Sequence, residues 1–405
     1  MNPRLGLLKP YPFEKLRALL AGIAPPRDLS PINLSIGEPQ HPTPQFLKDA
    51  LCANLAGLAR YPLTRGVPEL RAAIASWLAR RHSLPAVDPE TQVVPVAGSR
   101  EGLFSLAQAV LDPGESNALV ICPNPFYQIY EGATLLGGAT PYFLNSEPSR
   151  GFAPDWSSIP EDVWARTRLL FACSPNNPNG RVMTLAEWRV LFDAADRHGF
   201  VIVSDECYSE IYFDESDPPL GALDAANRLG RGGFANLVVM GSLSKRSNAP
   251  GLRSGFAAGD AAVLDKFVLY RTYHGTAMSN TVQLASLPAW QDEAHVIENR
   301  RLYREKFAAF FELVNPVLPL ERPQAAFYYW AAVPGDEEAF TRQLYEAANV
   351  TVLPGSYLSR EANAVNPGRG RVRIALVSTV GEAAQAGARI RDFVRARTAS
   401  MAGAR

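Results

Sequence analysis

Apolar positions along the chain change their spacing twice. Up to about Pro44 the sequence is rich in proline and shows no regular period. From Pro68 to Arg81, PELRAAIASWLARR places Leu70, Ile74 and Leu78 four residues apart, the spacing of one helix face, with Pro68 suited to the first turn. Seven short apolar runs follow: QVVPV (92–96), ALVIC (118–122), PYFL (141–144), LLFAC (169–173), FVIVS (200–204), LVVMG (237–241) and GFAAG (255–259). Most are continuously apolar rather than alternating, as expected for strands covered on both faces. Helix-like stretches lie between them, among them LAEWRVLFDAADRHG, which stops at Gly199. Strands alternating with helices predict an α/β layered domain with a largely parallel sheet. After about residue 295 the pattern shifts again. Residues 298–314 read as a long helix, AAFYYWAAV, NVTVLPG and RVRIALV as strands, and the remainder as a terminal helix. These elements predict a smaller α+β domain, which leaves 45–295 as the large domain.

Composition narrows the class. A length of 405 residues fits two or three domains, and 47% apolar residues supply a large core. Lys+Arg and Asp+Glu balance at 40 each, which argues against a general nucleic-acid or anionic-membrane binder and leaves a local basic pocket open. The four cysteines, Cys52, Cys122, Cys173 and Cys207, form no C-x-x-C pair and no zinc spacing. Most lie in apolar segments and read as buried, reduced thiols, which points to a soluble, cytoplasmic protein. The N-terminal stretch, broken by Pro10 and Pro12, does not read as a signal peptide, and no apolar run is long enough to span a bilayer.

In open α/β sheets ligands bind beyond the carboxyl ends of strands, so the residues after each run carry the candidate chemistry. AGSREGLF offers Ser99 and the amides of a helix N-terminus as an anion site, although a serine there also serves as a plain cap. PNPFYQIY brings Phe126, Tyr127 and Tyr130, which suit stacking on a flat ligand or ordinary core packing. SPNNPNG holds Asn177 in a rigid turn. DECYSEIYF puts Asp205 after an apolar run, where a carboxylate needs a cation or an N-cap role, and Tyr208 follows three residues on. SLSKRSNAPGLRSGF supplies Ser242, Ser244, Lys245 and Arg253. A lysine at that depth is a desolvated, nucleophilic amine; at the surface it is only a solvated charge. Phosphate cradle, stacking ring, amide, acid, phenol and lysine together match one cofactor, pyridoxal phosphate.

The ordered set SPNNPNG, DECYSEIYF and SLSKRSNAPGLRSGF resembles the class I/II aminotransferases of pyridoxal-phosphate fold type I, over essentially the whole chain. The resemblance implies a three-layer α/β/α large domain with a mostly parallel seven-stranded sheet, and a small domain of 296–405 onto which residues 1–44 fold back. It implies ping-pong transamination through an imine between Lys245 and the cofactor, with Asp205 on the pyridinium nitrogen. Tyr208 and Asn177 then bind the phenolic oxygen and Tyr127 stacks on the ring. Ser99, the backbone of Arg100, Ser242, Arg253 and also Ser244 are then expected to hold the phosphate. Tyr61 is expected to reach the phosphate of a neighbouring subunit, which implies a homodimer. Gly37 and Arg373 are expected at the substrate, Arg373 as the clamp on its α-carboxylate.

The strings YPLTRGVPELR, YRTYHGTAMS and PYPFEKLRALLAG are similar to the proteobacterial succinyldiaminopimelate aminotransferases, which implies glutamate as donor and a substrate with distal carboxylates. Arg246, Arg271 and His274 are candidates to read those carboxylates, and each is equally open to a surface or interface role. Aspartate, alanine or aromatic aminotransferases remain alternatives, as does a C–S lyase. The resemblance begins so early that an N-terminal DNA-binding module is not expected. The chain has no phosphate-binding G-x-x-x-x-G-K-[ST] motif of the kind found in nucleotide-binding enzymes.

Overall fold

Twelve strands form among the described residues, which are 1–403 of this computed structural model. They are β1 Ile32–Asn33, β2 Val93–Val96, β3 Leu119–Asn124, β4 Thr140–Asn145, β5 Thr167–Cys173, β6 Val201–Asp205, β7 Leu237–Ser242, β8 Gly255–Gly259, β9 Tyr328–Ala332, β10 Val350–Thr351, β11 Leu353–Pro354 and β12 Arg371–Ala375. All seven early apolar runs join one sheet, in the order β2-β8-β7-β6-β5-β3-β4. Strand β8 runs antiparallel to both of its neighbours, and the other pairs are parallel.

The unbroken apolarity of these strands has a direct cause. Successive side chains point to opposite faces of a sheet, and both faces here are covered. Leu170, Ile202, Val239 and Phe256 enter one apolar layer, while Leu169, Val203, Val238 and Ala257 enter the other. Helices Pro68–Arg81, Leu185–His198 and Asn280–Gln291 close the first layer, and Ser99–Val110 and Ala261–His274 close the second. The expected face of Pro68–Arg81 is the buried one: Leu70, Ile74 and Leu78 are fully enclosed. Helix Leu185–His198 is bounded by chemistry at both ends. Thr184 and Glu187 exchange a capping box, and Gly199 adopts the left-handed conformation at φ +74° that glycine accepts without a Cβ clash.

A second, antiparallel sheet has the order β11-β12-β9, and β1 pairs in parallel with β10. Leu34, Tyr303, Phe310, Tyr329, Ile374 and Ile390 share its apolar cluster. Two details depart from the apolar pattern. NVTVLPG is two pieces rather than one strand: β10 turns to β1, and β11 turns to β12 and stays short because Pro354 has no N–H to extend the ladder. The long helix starts at Ala294 rather than 298, because Asp292 accepts a hydrogen bond from the His295 amide and organises an earlier turn. The carbonyl of Leu34 accepts from Ala375, and its amide donates to Thr351. These bonds suspend residues 35–38 over the carboxyl edge of the large sheet. Among the described residues no helix is long and apolar enough to cross a membrane.

The three residues expected to read distal carboxylates are occupied elsewhere. Arg246 follows Lys245 on the short helix Leu243–Arg246, and the roughly 100° step of a helix turns it away from its neighbour. Its guanidinium lies between the rings of Trp77 and Trp290 and pairs with Glu293. Arg271 is fully buried, paired with Glu101 and bonded to the Thr276 carbonyl. His274 is exposed, stacked on Tyr270 and bonded to Thr276. None of them lines the cavity at the strand ends. Arg271→Ala strands a mostly enclosed carboxylate, so it is expected to lower the unfolding free energy by about 3–5 kcal/mol. A denaturation midpoint measures this. Binding of a carboxylate substrate should stay at the wild-type level, and the reverse pattern would return Arg271 to the site.

Candidate active site

A cavity of about 550 Å³ opens at the carboxyl ends of β5, β6 and β7. Its walls include Ser99, Arg100, Tyr127, Asn177, Asp205, Tyr208, Ser242, Ser244, Lys245, Arg253, Gly37 and Arg373. The fold therefore brings together Gly37, Arg373 and every cofactor residue expected from the sequence except Tyr61, while Arg246, Arg271 and His274 stay outside. The Tyr61 side chain is fully exposed and lies outside the cavity of its own chain.

Asp205 ends β6 and is 4% exposed. Its Oδ2 accepts a 2.7 Å hydrogen bond from the Tyr130 phenol, and its Oδ1 accepts from the Cys207 amide at 3.2 Å. Burial raises its pKa, against the pull of those two donors and of the nearby Lys245. Lys245 is partly buried on the first turn after β7, and its Nζ donates to the Gly37 carbonyl at 2.5 Å. Burial, above all, lowers its pKa to about 8. The Tyr208 and Tyr328 phenol oxygens lie 2.9 Å apart, and burial holds both pKa values above the ordinary phenol range.

Arg373 comes from β12 and is 4% exposed. Its Nη1 donates to Asn177 Oδ1 at 3.0 Å and its Nη2 to the Ser35 carbonyl at 2.7 Å, while its buried Nε has no partner. The guanidinium carbon lies 4.4 Å from the Tyr328 ring centroid. The oxygen of Asn177 is thus committed, leaving its NH₂ as the group to offer. Tyr127 accepts a 2.5 Å hydrogen bond from Arg100 Nε, which holds its ring at the cavity wall.

Across the floor lie the groups of an anion cradle. The first amides of helix Ser99–Val110 have no carbonyl within the helix to bond. Ser242 Oγ is buried without a partner. Arg253, itself at φ +56°, lies against Gly98, where an added Cβ would stand 2.3 Å from Nη2. Ser99 Oγ accepts from the Cys207 thiol at 2.8 Å. An unsatisfied hydroxyl, free amides and a guanidinium on one side, and a buried acid, phenol and amine on the other, fit pyridoxal phosphate.

Sequence reasoning missed four contributors: Tyr130 behind Asp205, Tyr328 behind Tyr208, Cys207 beside Ser99, and Tyr11, whose phenol meets Arg100 at 3.4 Å. Tyr130 was visible as an aromatic three residues after Tyr127, but nothing in that spacing marks it as a carboxylate's donor. Tyr328 stands among three consecutive aromatic residues of a strand, and the string alone does not reveal which of them faces a ligand.

The sequence model of the family "Aminotransferase class I and II" matches residues 30–386. The chain is 32% identical to an LL-diaminopimelate aminotransferase of Desulforudis audaxviator, over 87% of this chain and 89% of the relative. An aminotransferase structure from Neisseria meningitidis superposes with a TM-score of 0.93 at 53% identity, covering 98% of this chain and all of the other. A probable N-succinyldiaminopimelate aminotransferase from Thermus thermophilus superposes with a TM-score of 0.81 at 27% identity, covering 94% and 98%. The family uses pyridoxal phosphate. With the fold, the cradle and these likenesses in agreement, the chain belongs to the class I/II aminotransferases of pyridoxal-phosphate fold type I.

Proposed function

We propose that this aminotransferase transfers an amino group between glutamate and N-succinyl-2-amino-6-oxopimelate, forming N-succinyl-LL-2,6-diaminopimelate in diaminopimelate and lysine synthesis. The observation that carries the catalytic part of this reading is the partly buried Lys245 amine in one cavity with Asp205 and Arg373. The substrate part is supported by the likeness to the Thermus thermophilus protein and by the cavity's size. Transfer to free LL-diaminopimelate chemistry is the second reading, favoured by the curated relatives that carry that name.

Pyridoxal phosphate, when bound, supplies an electron sink for the carbanion formed at the substrate's Cα. In this reading Lys245 would hold the cofactor's aldehyde and would take and return the substrate's Cα proton. Its lowered pKa gives it a large free-base fraction at mildly alkaline pH. Asp205, steadied by Tyr130 and the Cys207 amide, would hold a proton on the ring nitrogen. Tyr208 and the Asn177 NH₂ would hold the phenolic oxygen, and Tyr127 would lie along the ring. Arg373 receives the α-carboxylate through the guanidinium N–H groups not committed to Asn177 and the Ser35 carbonyl. Ser99, the Arg100 amide, Ser242, Ser244 and Arg253 retain the phosphate.

A homodimer belongs to the same proposal. Leu58, Tyr61, Leu63 and Tyr273 are all strongly exposed in the single chain, and a second copy would cover them and receive Tyr61 at its phosphate. A cytoplasmic location is the matching compartment for four free cysteines.

Three outcomes test the reading. Lys245→Ala should abolish both transamination and the visible absorbance of the bound cofactor; near-normal turnover would remove Lys245 from its role. Capture of pyridoxal phosphate by the cofactor-free wild type should accelerate as pH rises through about 8 and then level off, because the amine loses its proton there. An ordinary lysine would keep accelerating to about pH 10. With glutamate as donor, 2-oxoglutarate release should be fastest with N-succinyl-2-amino-6-oxopimelate. Faster release with unsuccinylated 2-amino-6-oxopimelate (assayed as its cyclic imine, tetrahydrodipicolinate), or with oxaloacetate, pyruvate or phenylpyruvate, would displace the substrate assignment and leave the aminotransferase intact.

A further inference from the structure

We propose that Tyr328 is a positioning residue: it donates a hydrogen bond to Tyr208, so that the Tyr208 proton points to the cofactor's phenolic oxygen, and it ties this donor to the Arg373 carboxylate clamp. The inference rests on the placement of Tyr208 and Arg373 given under the proposed function.

The proton count sets the direction. The two phenol oxygens are 2.9 Å apart, and each phenol has one proton. If Tyr208 spends its proton on the phenolic oxygen, the proton between the two tyrosines must come from Tyr328. A phenol that accepts a hydrogen bond is itself a better donor, so Tyr328 strengthens the contact it does not make.

Three neighbours fix Tyr328 in that pose. It is 2% exposed on β9, which pairs with β12, the strand of Arg373. The guanidinium of Arg373 lies over its ring at 4.4 Å, within cation–π range. Phe327 closes the side at a ring-centroid distance of 4.7 Å. Gly37 admits the phenol: a Cβ there would stand 2.0 Å from Tyr328 Oη. The ring that Arg373 rests on is therefore the ring that feeds Tyr208, and a carboxylate drawn to Arg373 meets a clamp already registered to the cofactor.

The test uses holoenzyme variants Tyr328→Phe, Tyr328→Leu, Tyr208→Phe and the double Tyr208→Phe/Tyr328→Phe. The pH titration of the cofactor's visible absorbance is followed, with Asp205, Lys245, Cys207 and Arg373 unchanged in all of them. The titrating proton is shared between the lysine nitrogen and the phenolic oxygen, and a weaker donor to that oxygen makes the proton harder to remove. Tyr208→Phe should therefore raise the apparent pKa, and Tyr328→Phe should raise it by about 0.5–1 unit. The double variant should titrate like Tyr208→Phe alone, because one phenol acts through the other. Tyr328→Leu, which also removes the ring under Arg373, should raise the KM for glutamate by about fivefold more than Tyr328→Phe does.

Wild-type titration in Tyr328→Phe, alongside a shifted Tyr208→Phe, would overturn the inference and leave the proposed function standing. Additive shifts in the double variant would overturn it as well. An unshifted Tyr208→Phe would remove the cofactor placement beneath it and the inference together.

Discussion

Asp205 sits at the enclosed end of β6, and its two oxygens receive only a phenol and one backbone amide. Two neutral donors do not replace the solvation that a carboxylate loses on burial, and its pKa rises accordingly. What it lacks is a cation, and the cavity beside it is where one fits. The lysine across the cavity has the complementary strain. Its charge is disfavoured by the same burial, and it leans on the Gly37 carbonyl. A protonated ring nitrogen and an aldehyde carbon on one flat molecule would relieve both groups at once. The reading of the site follows from that shared deficit.

Around this pair the chain builds two ranks of support. Side chains at the strand ends face the cavity, and a second set stands behind them: Tyr130 behind Asp205, Tyr328 behind Tyr208, Asn177 beside Arg373, Arg100 at Tyr127. Tyr130 and Tyr328 are nearly closed to water, so their hydrogen bonds have few competing partners, whereas Arg100 works from the exposed rim. Both sheets contribute. The large one presents the acid, the amine and the anion cradle, while β9 and β12 bring Tyr328 and Arg373 across from the smaller one.

Much of the fold was legible because burial on two faces leaves a plain signature. Runs such as LLFAC and FVIVS have no polar alternation, and their odd and even residues do divide between two apolar layers. Gly37 and Arg373 were expected only from the family resemblance, while most of the cavity residues of the large sheet were legible because they follow such a run within a few residues, where the topology must place them. Residues that act through another side chain were not. Tyr130 and Tyr328 earn their contacts from the approach of distant elements, a relation no local spacing records. Arg246 shows the opposite failure. The distal carboxylates implied by the resemblance made it one candidate, with a structural role left open, and one helical step sends its guanidinium between Trp77 and Trp290. The split of NVTVLPG likewise depended on β1, more than 300 residues away in sequence, arriving to claim half of it.

The outer wall of the cavity has a different origin from its floor. Pro12 and Phe13 open the helix Pro12–Leu20, Tyr11 caps it, and Leu358 ends the short 3-10 helix Gly355–Leu358; Leu16 packs with Leu358, Trp330 and Tyr357 in a small apolar cluster of its own. None of these residues belongs to the strands that present Asp205, Lys245 or the anion cradle. Changes at Phe13 and Leu358 can therefore recut the mouth for longer, shorter or differently charged acids without touching Asp205, Lys245 or the anion cradle.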